Sequence, residues 1–136
     1  MTKAISALFG LSLAFLAQGA FACEAVSADS HIKAATAAFT GTIASSKAVE
    51  KDADELSEFT VDKTVRGNVS GKITVVAPSH PCRYLRHEAG EIWLIVGTLT
   101  DDGKVKITWD SPSVKITNAD GTPTKADIEP LLAKLK

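Results

Sequence analysis

The segment Glu91 to Leu99, EIWLIVGTL, constrains the fold more than any other stretch of this 136-residue chain. It is the most apolar run beyond the first residues, rich in β-branched and aromatic side chains, and it reads as a central strand covered on both faces. Asp101-Asp102-Gly103 follows as a hairpin turn. Val105, Ile107 and Trp109 then alternate in the partner strand, which places Trp93 and Trp109 on neighbouring strands as core residues. Upstream, Glu58 to Val65 alternates through Phe59 and Val61, and Lys72 to Ala77 (KITVVA) is a further strand stopped by Pro78. Arg66 to Gly71 is the turn between them. Ala35 to Ala44 is read as the first strand, with Gly41 marking a bulge or sharp bend, after a short helical turn at Ala28 to Lys33.

The connections are polar. Ser45 to Glu55 is expected as an exposed hairpin connection, Ser79 to Gly90 as an irregular one, and Asn118 to Pro123 as a turn region. At the end, Ile128, Leu131, Leu132 and Leu135 recur at helical spacing, with Asp127 as N-cap and Pro130 in the first turn, where proline is tolerated. About five strands and a terminal helix imply an all-β, five-stranded OB-like Greek-key barrel with a short N-terminal helix and a C-terminal helix flanking it.

Residues 1–22 have the form of an export signal. Lys3 is the positive start, Ala4 to Ala17 is uncharged and apolar, and Ala20-Phe21-Ala22 is a small-x-small cleavage site. The run is short for a transmembrane helix and no second one follows. Cleavage leaves a single domain, residues 23–136, in a secreted or periplasmic location. Its near-neutral balance, formal net charge −1 over the chain, and the lack of basic runs interleaved with aromatics argue against nucleic acid as a partner. A monomer without cofactor or metal of its own is expected.

The chain has two cysteines, Cys23 and Cys82. In an oxidising compartment an even pair is most simply one disulfide. It would close a loop of about 60 residues, worth about 4 kcal/mol in the chain-entropy picture. Two alternatives exist. Cys23 could carry a lipid, although Phe21 fits a lipobox poorly. Cys82 could join His80, His87 and His31 around a metal, although the spacing fits no standard zinc pattern. Arg83, Arg86 and His87 read as a basic cluster on a solvated loop. Glu88 and Glu91 read as surface charges flanking a strand. Ser27, Ser30, Ser45 and Ser46 lie in no nucleophile elbow, and no enzyme is expected.

Several stretches, in order, resemble the netrin-like (NTR) domain and in particular the inhibitory domain of the tissue inhibitors of metalloproteinases. Ala37-Ala38-Phe39-Thr40-Gly41 is similar to the first-strand pattern of that family, and Phe59 to Gly67 (FTVDKTVRG) to its second strand. Ser79-His80-Pro81-Cys82 is similar to the loop whose cysteine bonds the N-terminal one. Gly90 to Gly97 followed by Asp102 to Ile107 is similar to its hairpin.

The resemblance implies that Cys23 becomes the first residue after processing and is bonded to Cys82. Its amine and carbonyl would then chelate the catalytic zinc of a metalloprotease. Glu24 would enter the protease's specificity pocket, and Ala25, Val26, Ser79, His80 and Pro81 would flank it. The chain departs from the inhibitors in two places. They begin Cys-x-Cys where this chain has Cys23-Glu24-Ala25, and the cysteine that would pair with the second one is missing near Trp109-Asp110. The residue after the first cysteine is ordinarily small and uncharged, and Glu24 is neither. A non-inhibitory NTR-like protein-binding module of the envelope or extracellular space is the alternative, with lipid anchoring at Cys23 a variant of it.

Overall fold

The computed structural model describes residues 23–48, 53–83 and 86–136. The signal-like segment lies outside them, as do residues 49–52 in the first hairpin connection. The elements are α1 (Ala28–Ala34), β1 (Ala37–Ala48), β2 (Glu55–Arg66), β3 (Lys72–Ala77), β4 (Ile92–Leu99), β5 (Val105–Lys106), β6 (Val114–Thr117) and α2 (Glu129–Leu135).

The strands pair in the order β1-β2-β3-β5-β4, and β4 returns to β1, closing a five-stranded barrel. All these pairings are antiparallel except β3 with β5, which run parallel at Val75↔Val105. β6 lies on β4 at Leu94↔Val114 as a sixth strand outside the ring. This is the expected OB-like barrel with flanking helices.

Why β4 is apolar on both faces is now clear. Trp93 and Ile95 point into the barrel, where they join Phe39, Ile43, Phe59, Val75 and Val105. Leu94 and Val96 point outward and pack with Ile32, Ala35, Ala38 and Leu135 beneath the two helices. Each large side chain so buried contributes about 1.5–3 kcal/mol. Arg66 fastens the helices to this outer layer. Its Nε donates to Leu135 O at 3.2 Å, and its Nη1 donates to the Ala35 carbonyl at 3.3 Å and to that of Ile32. These are carbonyls of the last turns, which no intrahelical donor satisfies.

Gly41 is required by close approach. A Cβ there would lie 2.9 Å from Thr60 O, and the β1–β2 register shifts between Thr40 and Gly41, as the bulge reading anticipated. Gly103 takes φ 79° in the hairpin turn, a conformation that glycine adopts without strain.

Other expectations need correction. The strands run further into the first connection than the polar residues suggested: β1 continues through Ser45 and Ser46, and β2 starts at Glu55. Cross-strand pairs such as Ser46↔Ser57 extend the ladder, and the serine hydroxyls lie 3.0 Å apart. β5 ends at Lys106, so Trp109 is not a strand residue but a half-buried part of the turn that follows. β6 was not foreseen, because VKIT is short and half-buried throughout. The N-cap of α2 is Ile128, with no side-chain cap. Asp127 Oδ1 instead accepts from Glu129 N at 3.2 Å.

Candidate functional site

One end of the barrel gathers the starts of β2 and β4, the end of β3 and the segments that follow β3 and β5. Inward-facing positions of β2 are Glu55, Ser57 and Phe59, all buried. The period-2 alternation that puts Phe59 in the core therefore carries a serine and then a carboxylate to the barrel mouth.

Over this mouth lies the N-terminal segment, Cys23 to Ser27, which forms neither helix nor strand and is exposed. Cys23 is disulfide-bonded to Cys82, with Cα atoms 5.8 Å apart. Val26 is 55 % exposed, an unusual position for so apolar a side chain. Its backbone N–H donates to Asp110 Oδ2 at 2.8 Å, and His31 Nε2 of α1 lies 3.0 Å from the same oxygen. Burial raises the Asp110 pKa, but bonds from Val26, Thr108, His31 and its own backbone outweigh that and hold it at about 2. Asp110 lies near where the resemblance called for the cysteine that pairs with the second one. A hydrogen-bonded carboxylate thus fixes the chain three residues after the disulfide. Nothing in the spacing of Asp110 signalled this role.

The loop after β3 is ordered by short-range bonds. His80 Nδ1 accepts from Cys82 N at 3.1 Å, and Arg83 N donates to His80 O at 3.0 Å. The His80 ring stacks on Trp109, centroids 4.9 Å apart and planes 10° apart. Ser79 and His80 are half-buried, and Pro81 is exposed. Of the expected contact residues, the structure joins Cys23 covalently to the Ser79–Cys82 loop and leaves Glu24, Ala25 and Val26 exposed beside it.

Beneath this ridge is a buried polar cluster that sequence reading placed on the surface. Glu91 is 2 % exposed and accepts from Trp93 Nε1 at 2.8 Å and Lys115 Nζ at 2.9 Å. Burial raises its pKa. The Trp93, Lys115 and Glu88 N–H donors outweigh this and bring it below the usual carboxylate value. Arg83 is not solvated either: its Nη2 donates to Glu55 Oε1 at 2.7 Å, and the His87 N–H donates to the same oxygen at 3.1 Å. Only Arg86, 3.8 Å from Glu55, remains exposed. Strand alternation explains the burial of Glu55, but no periodic pattern in an irregular loop could have placed Arg83 and His87.

His87 is the centre of this cluster. Its Nδ1 is 2.8 Å from Ser57 Oγ and 3.3 Å from Glu55 Oε1. Its ring meets Phe59 and Trp93 edge to face at 5.4 and 4.9 Å. Burial drives its pKa down to about 4 despite the neighbouring Glu55 and Glu91 carboxylates, so it is neutral at pH 7. Serine, histidine and glutamate meet here, yet not as a nucleophile relay. Such a relay needs the two partners on opposite ring nitrogens, whereas Ser57 and Glu55 share one. Ser57 is also fully buried.

The three histidines therefore have separate surroundings. Among the described residues no group of three or more His, Cys, Asp or Glu is placed to hold a metal ion. No described helix is long and apolar enough to cross a membrane. Among known proteins, no family model matches the chain and no curated protein matches it.

Proposed function

We propose that this chain is an exported, NTR-like protein whose processed N-terminus inhibits a zinc metalloprotease. The observation that supports the reading is the Cys23–Cys82 disulfide, with an exposed segment running on from it. Once residues 1–22 are removed, the Cys23 α-amine and carbonyl form a chelating pair held at the edge of a rigid barrel. A catalytic zinc keeps one position for water, and displacing that water removes the activated nucleophile. An α-amine titrates near pH ~8, so binding in the neutral form costs little at physiological pH. The disulfide and the Asp110 clamp reduce the ordering that docking requires. Glu24 would enter the specificity pocket, flanked by Ala25, Val26 and the Ser79–Pro81 loop.

Glu24 favours a second reading, a non-inhibitory protein-binding module that uses the same ridge. A carboxylate entering an apolar slot costs energy unless it is paired. A lipid on Cys23 would need the sulfur that the disulfide occupies, so the lipid-anchored form and the cross-linked form exclude one another.

Protein beginning at Cys23 should be compared with protein carrying one extra alanine before it, against a panel of zinc metalloproteases. The reading expects inhibition from the first form alone. Equal potency rejects chelation, and inactivity of both leaves the binding module.

A further inference from the structure

We propose that a cavity at the barrel mouth binds a small monocarboxylate with a flat apolar body. The cavity, about 190 Å³, lies between the loop after β3 and the segment after β5. Its apolar walls are Trp93, Ile107 and Trp109, and Arg83 is among its lining residues.

Arg83 is what gives the cavity a chemical preference. Its side chain is 6 % exposed. Nη2 is committed to Glu55, but Nη1 is buried and has no hydrogen-bond partner among the described residues. Buried donors are almost always satisfied, so one left over beside a cavity calls for an acceptor. The hydroxyls in the same wall are already engaged. Ser111 Oγ donates to Val96 O, and Ser113 Oγ accepts from Val96 N, both at 2.8 Å.

The buried carboxylates nearby already have partners. Glu55 faces Arg83 and Arg86, and Glu91 faces Lys115. His87 is neutral at pH 7 and adds no charge. Asp110, next to Trp109, is turned to Val26 and His31. A carboxylate oxygen is the natural acceptor for a guanidinium N–H. The volume is below the usual ~300–1,000 Å³ of ligand pockets, which restricts the body to about ten heavy atoms.

Benzoate is a suitable probe, with benzamide as its uncharged counterpart. Both would be titrated into the protein at pH 7 while the Trp93 and Trp109 indole and the Arg83 Nε–H resonances are followed by NMR. The expected result is a saturable shift with benzoate, Kd about 1 mM, and binding of benzamide at least about tenfold weaker. Arg83→Lys keeps a cation opposite Glu55 but removes the second guanidinium nitrogen, and should weaken benzoate by about tenfold. Trp109→Ala leaves the buried ion pairs intact and should weaken it by about fivefold, which decides the matter if the Arg83 variant does not fold. The proposal is overturned if benzoate gives no saturable shift up to about 50 mM, which would mean a cavity filled by water alone. It is equally overturned if benzamide binds as well as benzoate, or if the folded variants bind benzoate as the parent does.

Discussion

The interior of the barrel and its mouth are built from the same strands but by different physics. In the interior, Phe39 and Phe59 meet edge to face at 5.7 Å within a wholly apolar cluster. Two positions along β2 the inward residue is Ser57, and two further on it is Glu55, facing Arg83 and His87 from a loop. Apolar packing tolerates substitution by residues of similar volume and is indifferent to pH. The polar mouth depends on each partner being present and in one protonation state. The mouth is also where the disulfide, the exposed N-terminal segment and the cavity converge, so the part of the molecule proposed for recognition is the chemically sensitive one.

The largest expected effect separates the two. Phe59→Ala should cost about 3–5 kcal/mol, since it removes the ring that both Phe39 and His87 pack on and opens a cavity there. Phe59→Leu should cost much less. Urea unfolding of both at pH 7 checks this. If the two substitutions cost the same, volume is not what the interior depends on.

The second effect is confined to the mouth and runs with pH. His87 has a folded-state pKa of about 4, against 6.5 for an unperturbed imidazole. Between those values the unfolded chain binds a proton that the folded one refuses. Stability associated with His87 is therefore complete above about pH 6.5 and is lost as the pH falls towards 4. At 1.36 kcal/mol per unit the loss is roughly 3 kcal/mol. His87→Gln should start lower at pH 7 and show a flatter profile from 6.5 to 4, and Phe59→Ala, which strips one of the rings covering His87, should flatten it in part. An unchanged slope in His87→Gln would assign the acid sensitivity elsewhere.

What could be read in advance follows the same division. Alternation in Phe59 to Val65, the run EIWLIVGTL, the turn at Gly103 and the spacing of Ile128 to Leu135 carried most of the barrel and its helices, because those patterns arise from one repeated geometry. The Cys23–Cys82 bond was legible because only one pair exists. The mouth was not legible. Glu91 and Arg83 are charged residues beside a strand or in a loop, and such residues are usually solvated. Only the pairing of β6 with β4, which sets Lys115 beside Glu91, and the loop after β3, which brings Arg83 to Glu55, show that these charges have partners. Trp109 misled for a related reason: its alternation with Val105 and Ile107 continues past the point where the β5 backbone leaves the sheet.

The smallest effect concerns how the N-terminal segment is held. Cys23 is fixed covalently at any pH, whereas Val26 is fixed by a carboxylate that must be ionised. The Asp110 pKa is lowered from 3.8 to about 2, so its contribution is present above about pH 4 and fades as the pH falls through 2. Asp110→Ala should cost about 1.5–3 kcal/mol, the usual range for a hydrogen bond to a charged group. It should also raise the backbone mobility of residues 24–27 in ¹⁵N relaxation at pH 7, with Cys23 still tethered. The clamp and the disulfide would then be separable: reduction frees Cys23, and only the loss of Asp110 frees Val26. If residues 24–27 are as ordered in Asp110→Ala as in the parent, the disulfide alone positions the ridge, and the Asp110 carboxylate has no part in presenting it.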